Sequence, residues 1–463
     1  MANASQLKSP LRVLPTMDAD GSRIRIRPKQ YSGRYNKARL WTGWGLIALF
    51  VSMPIVPVGG HPAMFLDVAE RKFHLFGRTF LATDGVLLML FLLSTFLTIF
   101  WLTTLVGRAW CGWGCPQTVY MELVFRPLER LFEGDRARQA KLDAGGFNVR
   151  RFSKNVVYGF LSLFLANVFL SYFVGVARLK LWVTQSPFEH PAPFLVMAVT
   201  ATLVFLDFAW FREQMCTVAC PYARLQAILL DKRSLVIGYD ANRGEPRGKG
   251  KQRGNLGACV DCGACVVTCP TGIDIREGLQ LECIACAQCV DACDSVMDKL
   301  GQPRGLVRYA SQETLENPGT ARKILRPRVV LYPALIAIFM SLLFIIGNKR
   351  TVADVTVLRG IGLPYVVVDG NVQNQLRVKI ENRRDVEAAF QIELVGMDDG
   401  VLIAPENPLR VLPGRREQTS VFVVVPAKSF VTKERKIRMR ITDGQGFAQE
   451  IPYKILGPEL GRS

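Results

Sequence analysis

Five stretches of this chain are apolar for long enough to reach across a bilayer, and no other feature limits its folds as strongly. A helix needs roughly 20 mostly apolar residues to span the hydrocarbon core. The stretches lie near residues 41–58, 85–106, 155–176, 193–211 and 329–346. The first begins after a polar, Arg-rich segment, which marks a retained span and not a cleaved signal peptide. The chain is thus expected to be a polytopic α-helical membrane protein.

Lysine and arginine set the orientation of such a protein. The N-terminal tail carries Arg12, Arg23, Arg25, Arg27, Lys29, Arg34, Lys37 and Arg39. The connection between the second and third runs carries Arg108, Arg126, Arg130, Arg136, Arg138, Lys141, Arg150, Arg151 and Lys154, and that between the fourth and fifth is also basic. The other two connections are poor, with Arg71, Lys72 and Arg78 in one and Arg178 and Lys180 in the other. This alternation predicts a cytoplasmic N-terminus and an external C-terminal region. The net charge of +19 then describes the cytoplasmic face of a membrane protein and needs no nucleic-acid partner.

There are 12 cysteines and only 3 histidines, a balance that favours thiolate over imidazole ligands. All the cysteines fall on the predicted cytoplasmic side and none follows Cys293, so they do not form a disulfide framework. Cys259, Cys262, Cys265 and Cys269, followed by Pro270, fit C-x2-C-x2-C-x3-C-P. Cys283, Cys286, Cys289 and Cys293 repeat the spacing, with Asp294 in place of the proline. In two-cluster bacterial ferredoxins the last cysteine of each motif ligates the other motif's cluster. The spacing therefore assigns Cys259, Cys262, Cys265 and Cys293 to one [4Fe–4S] cluster, and Cys283, Cys286, Cys289 and Cys269 to a second. A pair of zinc sites is the alternative, and the doubled spacing argues against it. Two cubanes in one such module act as a wire.

Four cysteines remain, in CGWGCP (Cys111 to Pro116) and CTVACP (Cys216 to Pro221). Each follows a span that runs inward, and each precedes an amphipathic stretch, so the arrangement reads as an internal repeat. Proline suits the first turn of a helix, which puts Cys115 and Cys220 at helix N-termini, where the dipole favours a thiolate. Simple packing, a reversible dithiol, and a metal site for Cu(I), zinc or a cluster all stay open; Met121 and Met215 could add a thioether. His61, His74 and His190 lie in external connections, an arrangement that does not suit a haem between spans. Asp207, inside the fourth run, and Asp84, at the start of the second, are acids at membrane depth, where such groups often serve function.

Residues 352–458 change character. Alternating runs at 375–380, 390–395, 420–425 and 436–441 are separated by Asp369-Gly370, Asp399-Gly400, Pro413-Gly414 and Asp443-Gly444. This pattern predicts an immunoglobulin-like β-sandwich, free of Cys and His and read as an external interaction module. The expected organisation is a basic tail (1–40), a membrane domain with four spans and both CxxxCP repeats (41–231), a linker (232–255) whose Gly- and basic-rich part at 243–253 is flexible, a 2[4Fe–4S] ferredoxin module (256–328), a fifth span (329–347) and the external domain (348–463).

In its order of parts, and in the stretch Gly107-Arg-Ala-Trp-Cys-Gly-Trp-Gly-Cys-Pro-Gln-Thr-Val, the chain resembles the cytochrome c oxidase accessory proteins of the CcoG/FixG/RdxA type over nearly its whole length. The resemblance implies a protein of the bacterial inner membrane that reduces Cu(II) to Cu(I) on the cytoplasmic side during cbb3-type oxidase assembly. Partners would be a copper transporter or chaperone, oxidase assembly factors and an unidentified electron donor. It maps cluster ligation onto the eight cysteines above and the second motif onto Cys111, Cys115, Cys216 and Cys220, as the catalytic, copper-binding set. Two other readings are a quinol-oxidising polyferredoxin subunit and a non-enzymatic assembly scaffold.

Overall fold

Four helices in the computed structural model are long and apolar enough to cross a membrane: Gly85–Val106, Val149–Val174, Pro191–Phe211 and Pro327–Asn348. The structure describes residues 15–18, 20–68, 72–81, 84–143, 145, 148–249, 254–317, 325–348, 351–384 and 386–459. Arg12, Arg71 and the 250–253 end of the basic stretch lie outside these residues. Gly85–Val106 has no charged side chain, and its hydroxyls close on their own helix. Ser94, Thr98 and Thr103 donate to carbonyls one turn back at 2.7, 2.7 and 2.8 Å, which satisfies their hydroxyl protons within the helix. Phe160, Leu195 and Phe344 are exposed, as side chains facing lipid would be.

The first apolar run behaves differently from its expected bounds. Its helix is Arg34–Ser52, so only residues 41–52 of the run are helical. At about 1.5 Å per residue the whole 19-residue helix is about 28 Å long, close to the thickness of a bilayer core, but its first turns carry Arg34, Lys37 and Arg39. Pro54 and Pro57 cannot continue a helix, and the chain instead turns into short strands at Pro57–Val58, His61–Pro62, Met64–Asp67, Lys72–Leu75 and Arg78–Leu81. The third run starts earlier than expected, because Asn148 caps Val149–Val174 by accepting from the Arg150 amide at 2.9 Å.

The chain divides into two compact units, Met1–Phe80 with Leu88–Leu342, and Leu81–Leu87 with Leu343–Ser463. In the first, strand Leu235–Tyr239 pairs antiparallel with Val307–Ser311 and closes the cysteine-rich module. Ile237, Ile273, Ile275, Val290, Met297 and Leu306 form its core. The expected linker at 232–255 therefore supplies a strand of the module. The Gly-rich part also folds back on it: the amides of Gly257 and Ala258 donate to the carbonyls of Pro246 and Arg243, both at 2.9 Å.

The second unit holds two antiparallel sheets. Ala353–Arg359, Asn371–Asn382, Arg416–Pro426 and Val401–Ile403 form one with Val366–Val368; Leu409–Val411, Ala388–Val395, Glu434–Thr442 and Ala448–Leu456 form the other. Strict alternation places Leu376, Val378 and Ile380 with Val421, Val423 and Val425 in the core, opposite Phe390, Ile392, Met439 and Ile441. The four alternating runs of the sequence all lie in these strands.

Candidate metal centre

The two C-x2-C-x2-C loops have one backbone. Asp261 and Gly263 flank Cys262 with φ of 48° and 67°; Ala285 and Ala287 flank Cys286 with φ of 52° and 59°. A left-handed alanine or aspartate costs about 1–2 kcal/mol. Successive turns of this kind aim amide N–H groups into one hollow, the device by which backbones cradle clusters and other anions. Two such hollows are present. Cys259, Cys262, Cys265 and Cys293 line one, with Tyr239 and Met297. Cys269, Cys283, Cys286 and Cys289 line the other, and Cys265 touches it as well. Each hollow is lined by the three cysteines of one loop together with the last cysteine of the other motif. Asp294 shows why no proline is needed after the second motif: helix Gln288–Lys299 runs through it, and its carboxylate accepts from the Gly305 amide at 3.0 Å.

Burial pushes the Cys265, Cys283 and Cys293 thiols up to about 12 and Cys286 to about 11. Thiols so buried keep their protons until a metal displaces them. Among the described residues no three His, Cys, Asp or Glu side chains are drawn tightly enough to hold a single metal ion. The two hollows, each lined by the three cysteines of one loop and the last of the other motif, fit two [4Fe–4S] clusters.

The CxxxCP pairs converge. Cys111, Ile284 and Cys286 form one buried cluster, with Cys216 and Tyr222 packed against it. Cys216 is near enough to Cys115, Cys111 and Cys220 for their charges to act on it; burial first, and these neighbours next, push it up to about 12. Burial likewise raises Cys111, which Arg108 partly offsets, and Cys115, despite amide donors from Thr118 and Gln117. For Cys115, desolvation thus outweighs the helix-terminal effect expected from sequence.

The two repeats share details below the level of the motif. Each span ends in a left-handed residue four positions before the first cysteine, Gly107 at φ 61° and Arg212 at φ 54°. Each loop closes by one bond across five residues, from the Cys115 amide to the Trp110 carbonyl at 2.9 Å and from the Cys220 amide to the Met215 carbonyl at 2.8 Å. Cys115 and Cys220 are both extended, and each is followed by a proline-initiated helix, Pro116–Tyr120 and Pro221–Leu229. Non-glycine Arg212 is held by two 2.9 Å bonds to Glu129. Burial would raise the Glu129 carboxyl, but Arg212, with Lys154 and Arg27, brings it down to about 2.

Several side chains that position this centre carry no sequence signature. Gln226 accepts from the Cys111 thiol at 2.9 Å and donates to Tyr222 and Thr103. Gly112 lies so close to the second cluster loop that a Cβ there would stand 2.6 Å from the Ile284 carbonyl oxygen and 2.9 Å from the Cys286 amide nitrogen. Arg39 donates to the Gly112 carbonyl at 2.9 Å. Asp291 accepts from the amides of Tyr35 and Asn36 at 3.2 and 2.7 Å. It thereby caps helix Arg34–Ser52, whose own N-cap residue, Gly33, offers no side chain.

The remaining candidates fall elsewhere. His61 and His74 stack at 4.0 Å and His190 stacks on Trp182. Met121 is buried at the start of a π-helical turn, among the aromatics of a separate core that includes Phe125 and Tyr158. Met215 opens the turn that holds Cys216. Asp207 accepts from Gln117 at 3.1 Å, and Asp84 from the Leu81 amide at 2.9 Å.

Family comparisons agree with this arrangement. A model described as a 4Fe-4S binding domain matches residues 88–134, one described as a 4Fe-4S dicluster domain matches 211–312, and one described as the IG-like fold at the C-terminal of FixG matches 343–458. The chain is 33% identical to Protein RdxA of Cereibacter sphaeroides, covering 81% of this chain and 83% of that protein. It is 30% identical to nitrogen fixation protein FixG of Rhizobium meliloti, over 97% and 94%. Against Protein RdxB of Cereibacter sphaeroides it is 31% identical, over 91% and 89%. Matched to these relatives over most of their lengths, with the dicluster and FixG C-terminal models on the same chain, the protein belongs to the FixG/RdxA family of iron–sulfur electron-transfer proteins.

Proposed function

We propose that this protein is a cupric reductase: it carries single electrons through its clusters to Cu(II) at or near the CxxxCP thiolates and releases Cu(I) for cbb3-type oxidase assembly. The observation that supports this most directly is the packing of Cys111 and Cys216 against Cys286, a ligand of the second cluster in the crossed assignment. When bound, the clusters supply one-electron storage and transfer at positions fixed by Cys259, Cys262, Cys265 and Cys293, and by Cys269, Cys283, Cys286 and Cys289. The chain's own residues do the rest. Gln226 orients the Cys111 thiol, Gly112 lets the first CxxxCP loop touch the second cluster loop, and the apolar surround excludes water. Soft thiolates favour Cu(I) over Cu(II), so the ligand set biases the exchange towards the reduced ion. Each Cu(II) takes one electron, supplied by an external one-electron donor.

The wider setting belongs to the same proposal. The Arg34–Ser52 helix joins the four apolar helices as a fifth span of a bacterial inner-membrane protein. The basic connections and all cysteines face the cytoplasm, and the sandwich lies outside. A copper transporter or chaperone receives Cu(I). The test is anaerobic: the purified protein is reduced with dithionite, freed of excess reductant and given Cu(II). Stoichiometric Cu(I) is expected, and its loss in Cys111→Ser/Cys216→Ser with the dicluster spectrum intact. Clusters that stay reduced in the presence of Cu(II) would refute the reading.

A further inference from the structure

Another cavity shares Cys283 with the second cluster hollow and lies where a helix of membrane-spanning length stops. Arg108 stands two residues past the end of Gly85–Val106, and Leu230 one residue past the end of Pro221–Leu229. Both line the cavity, with Leu235, Ile237, Leu279 and Leu281 as further walls. Leu279 and Leu281 are exposed, as are Leu225 and Ile228 on helix Pro221–Leu229. The cavity is thus bordered by apolar side chains at the level where an apolar span gives way to the cysteine module. We propose that it binds a lipid-soluble quinol, whose electrons enter the clusters beside Cys283.

Arg108 points to a ligand. It is 4% exposed. One guanidinium nitrogen donates to the Leu281 carbonyl, and its charge bears on Cys111, yet its Nε is buried with no hydrogen-bond partner. A buried donor left unpaired is costly, and a ligand oxygen in this cavity would relieve it. Gln280, also on the wall, supplies the complement. Its side-chain nitrogen donates to the Asp274 carbonyl at 2.6 Å, which leaves the amide oxygen to accept. A quinol ring carries a hydroxyl at each end, so one can accept from Arg108 while the other donates to Gln280. The leucine and isoleucine walls suit the ring and its tail; a few convergent polar groups in an apolar cavity are the usual make-up of a small-molecule site. A phospholipid phosphate fits less well, since Arg108 is the only cation among the lining residues. The Cys283 amide donates to the Gln280 carbonyl at 3.1 Å, so a ring held by Gln280 lies one turn of chain from a cluster ligand. The quinol serves as the one-electron donor twice in succession. Loss of the first electron, with both hydroxyl protons passing to water, leaves a half-oxidised anion against the Arg108 charge. Loss of the second electron leaves the quinone. One quinol thereby reduces two Cu(II) to two Cu(I) and releases two protons.

The proposal names the donor for the copper reduction above and rests on that reading. The test uses the full chain in detergent with its clusters loaded, illuminated in the presence of a radioactive, photoreactive azido-ubiquinone. Label is expected on the 279–281 loop or the 230–237 segment, displaced by excess decylubiquinone. Arg108→Gln should weaken the labelling by about tenfold or more, the loss of one hydrogen bond to a charged group. Leu279→Trp, which puts an indole on the cavity wall, should weaken it too, with dicluster iron retained; if Arg108→Gln loses iron, this second variant decides. Label elsewhere, or label indifferent to Leu279→Trp, would overturn the proposal. So would displacement by phosphatidylglycerol and not by decylubiquinone, which would mark a lipid-headgroup site. The unaltered chain is then given Cu(II) anaerobically, with either dithionite or decylubiquinol as reductant. Cu(I) formed with dithionite but not with decylubiquinol sinks the quinol and spares the reductase; clusters reduced by decylubiquinol with no Cu(I) formed do the reverse.

Discussion

The two sets of cysteines are built on opposite principles. The eight between Cys259 and Cys293 come from one continuous stretch, and the backbone alone shapes their loops, with Asp261, Gly263, Ala285 and Ala287 all turned left-handed around the middle cysteines. The four CxxxCP cysteines come from two loops a hundred residues apart and are gathered by packing, through Gln226, Tyr222, Thr103 and the gap left by Gly112. A site made by local backbone shape can be read from spacing; a site made by packing requires the fold. The two should also fail differently, the first by losing cofactor and module together and the second by losing contact.

The sharpest break is Cys265→Ser. Its thiol lines the first cavity and touches the second, so iron and sulfide content should fall by about half or more and the module should become protease-sensitive. Retention of both cubane EPR signals would show that the loops are not the ligands. Next comes Gly112→Val, which drives a side chain against the Ile284 carbonyl and the Cys286 amide. Copper reduction should slow by about tenfold or more, equivalent to about 1.4 kcal/mol, while the dicluster iron stays bound; an unchanged rate would mean that the contact between the loops does not matter. The smallest effect belongs to Ala287→Gly. Relief at φ 59° should raise resistance to denaturant by up to about 1 kcal/mol, whereas Ala287→Val should lower it. If the two variants rank the other way in urea-driven cluster loss, backbone strain does not shape this loop.

How much was legible follows from the same contrast. The two cysteine loops were visible in their spacing because each is self-contained. The sandwich was visible because period-two alternation is a local property, and Leu376, Val378 and Ile380 obey it. The pairing of CGWGCP with CTVACP was visible as a repeat, but Gln226, Gly112 and Asp291 were not, since each acts through a partner distant in sequence. The first apolar run was misplaced because hydropathy ignores the prolines at 54 and 57. The 232–255 stretch was taken for a linker because its Gly- and Arg-rich end hides the strand Leu235–Tyr239 before it.

Asp291 has a consequence for how the protein is made. It sits between Cys289 and Cys293, yet it completes the first turn of helix Arg34–Ser52 by accepting from Tyr35 and Asn36. A helix emerging early from the ribosome therefore waits for a residue synthesised some 250 positions later. Maturation acquires an order and a checkpoint: that end of the helix is finished only when the cysteine module has folded beneath it. A chain starved of iron would be left with a frayed, recognisable end for quality-control proteases to find.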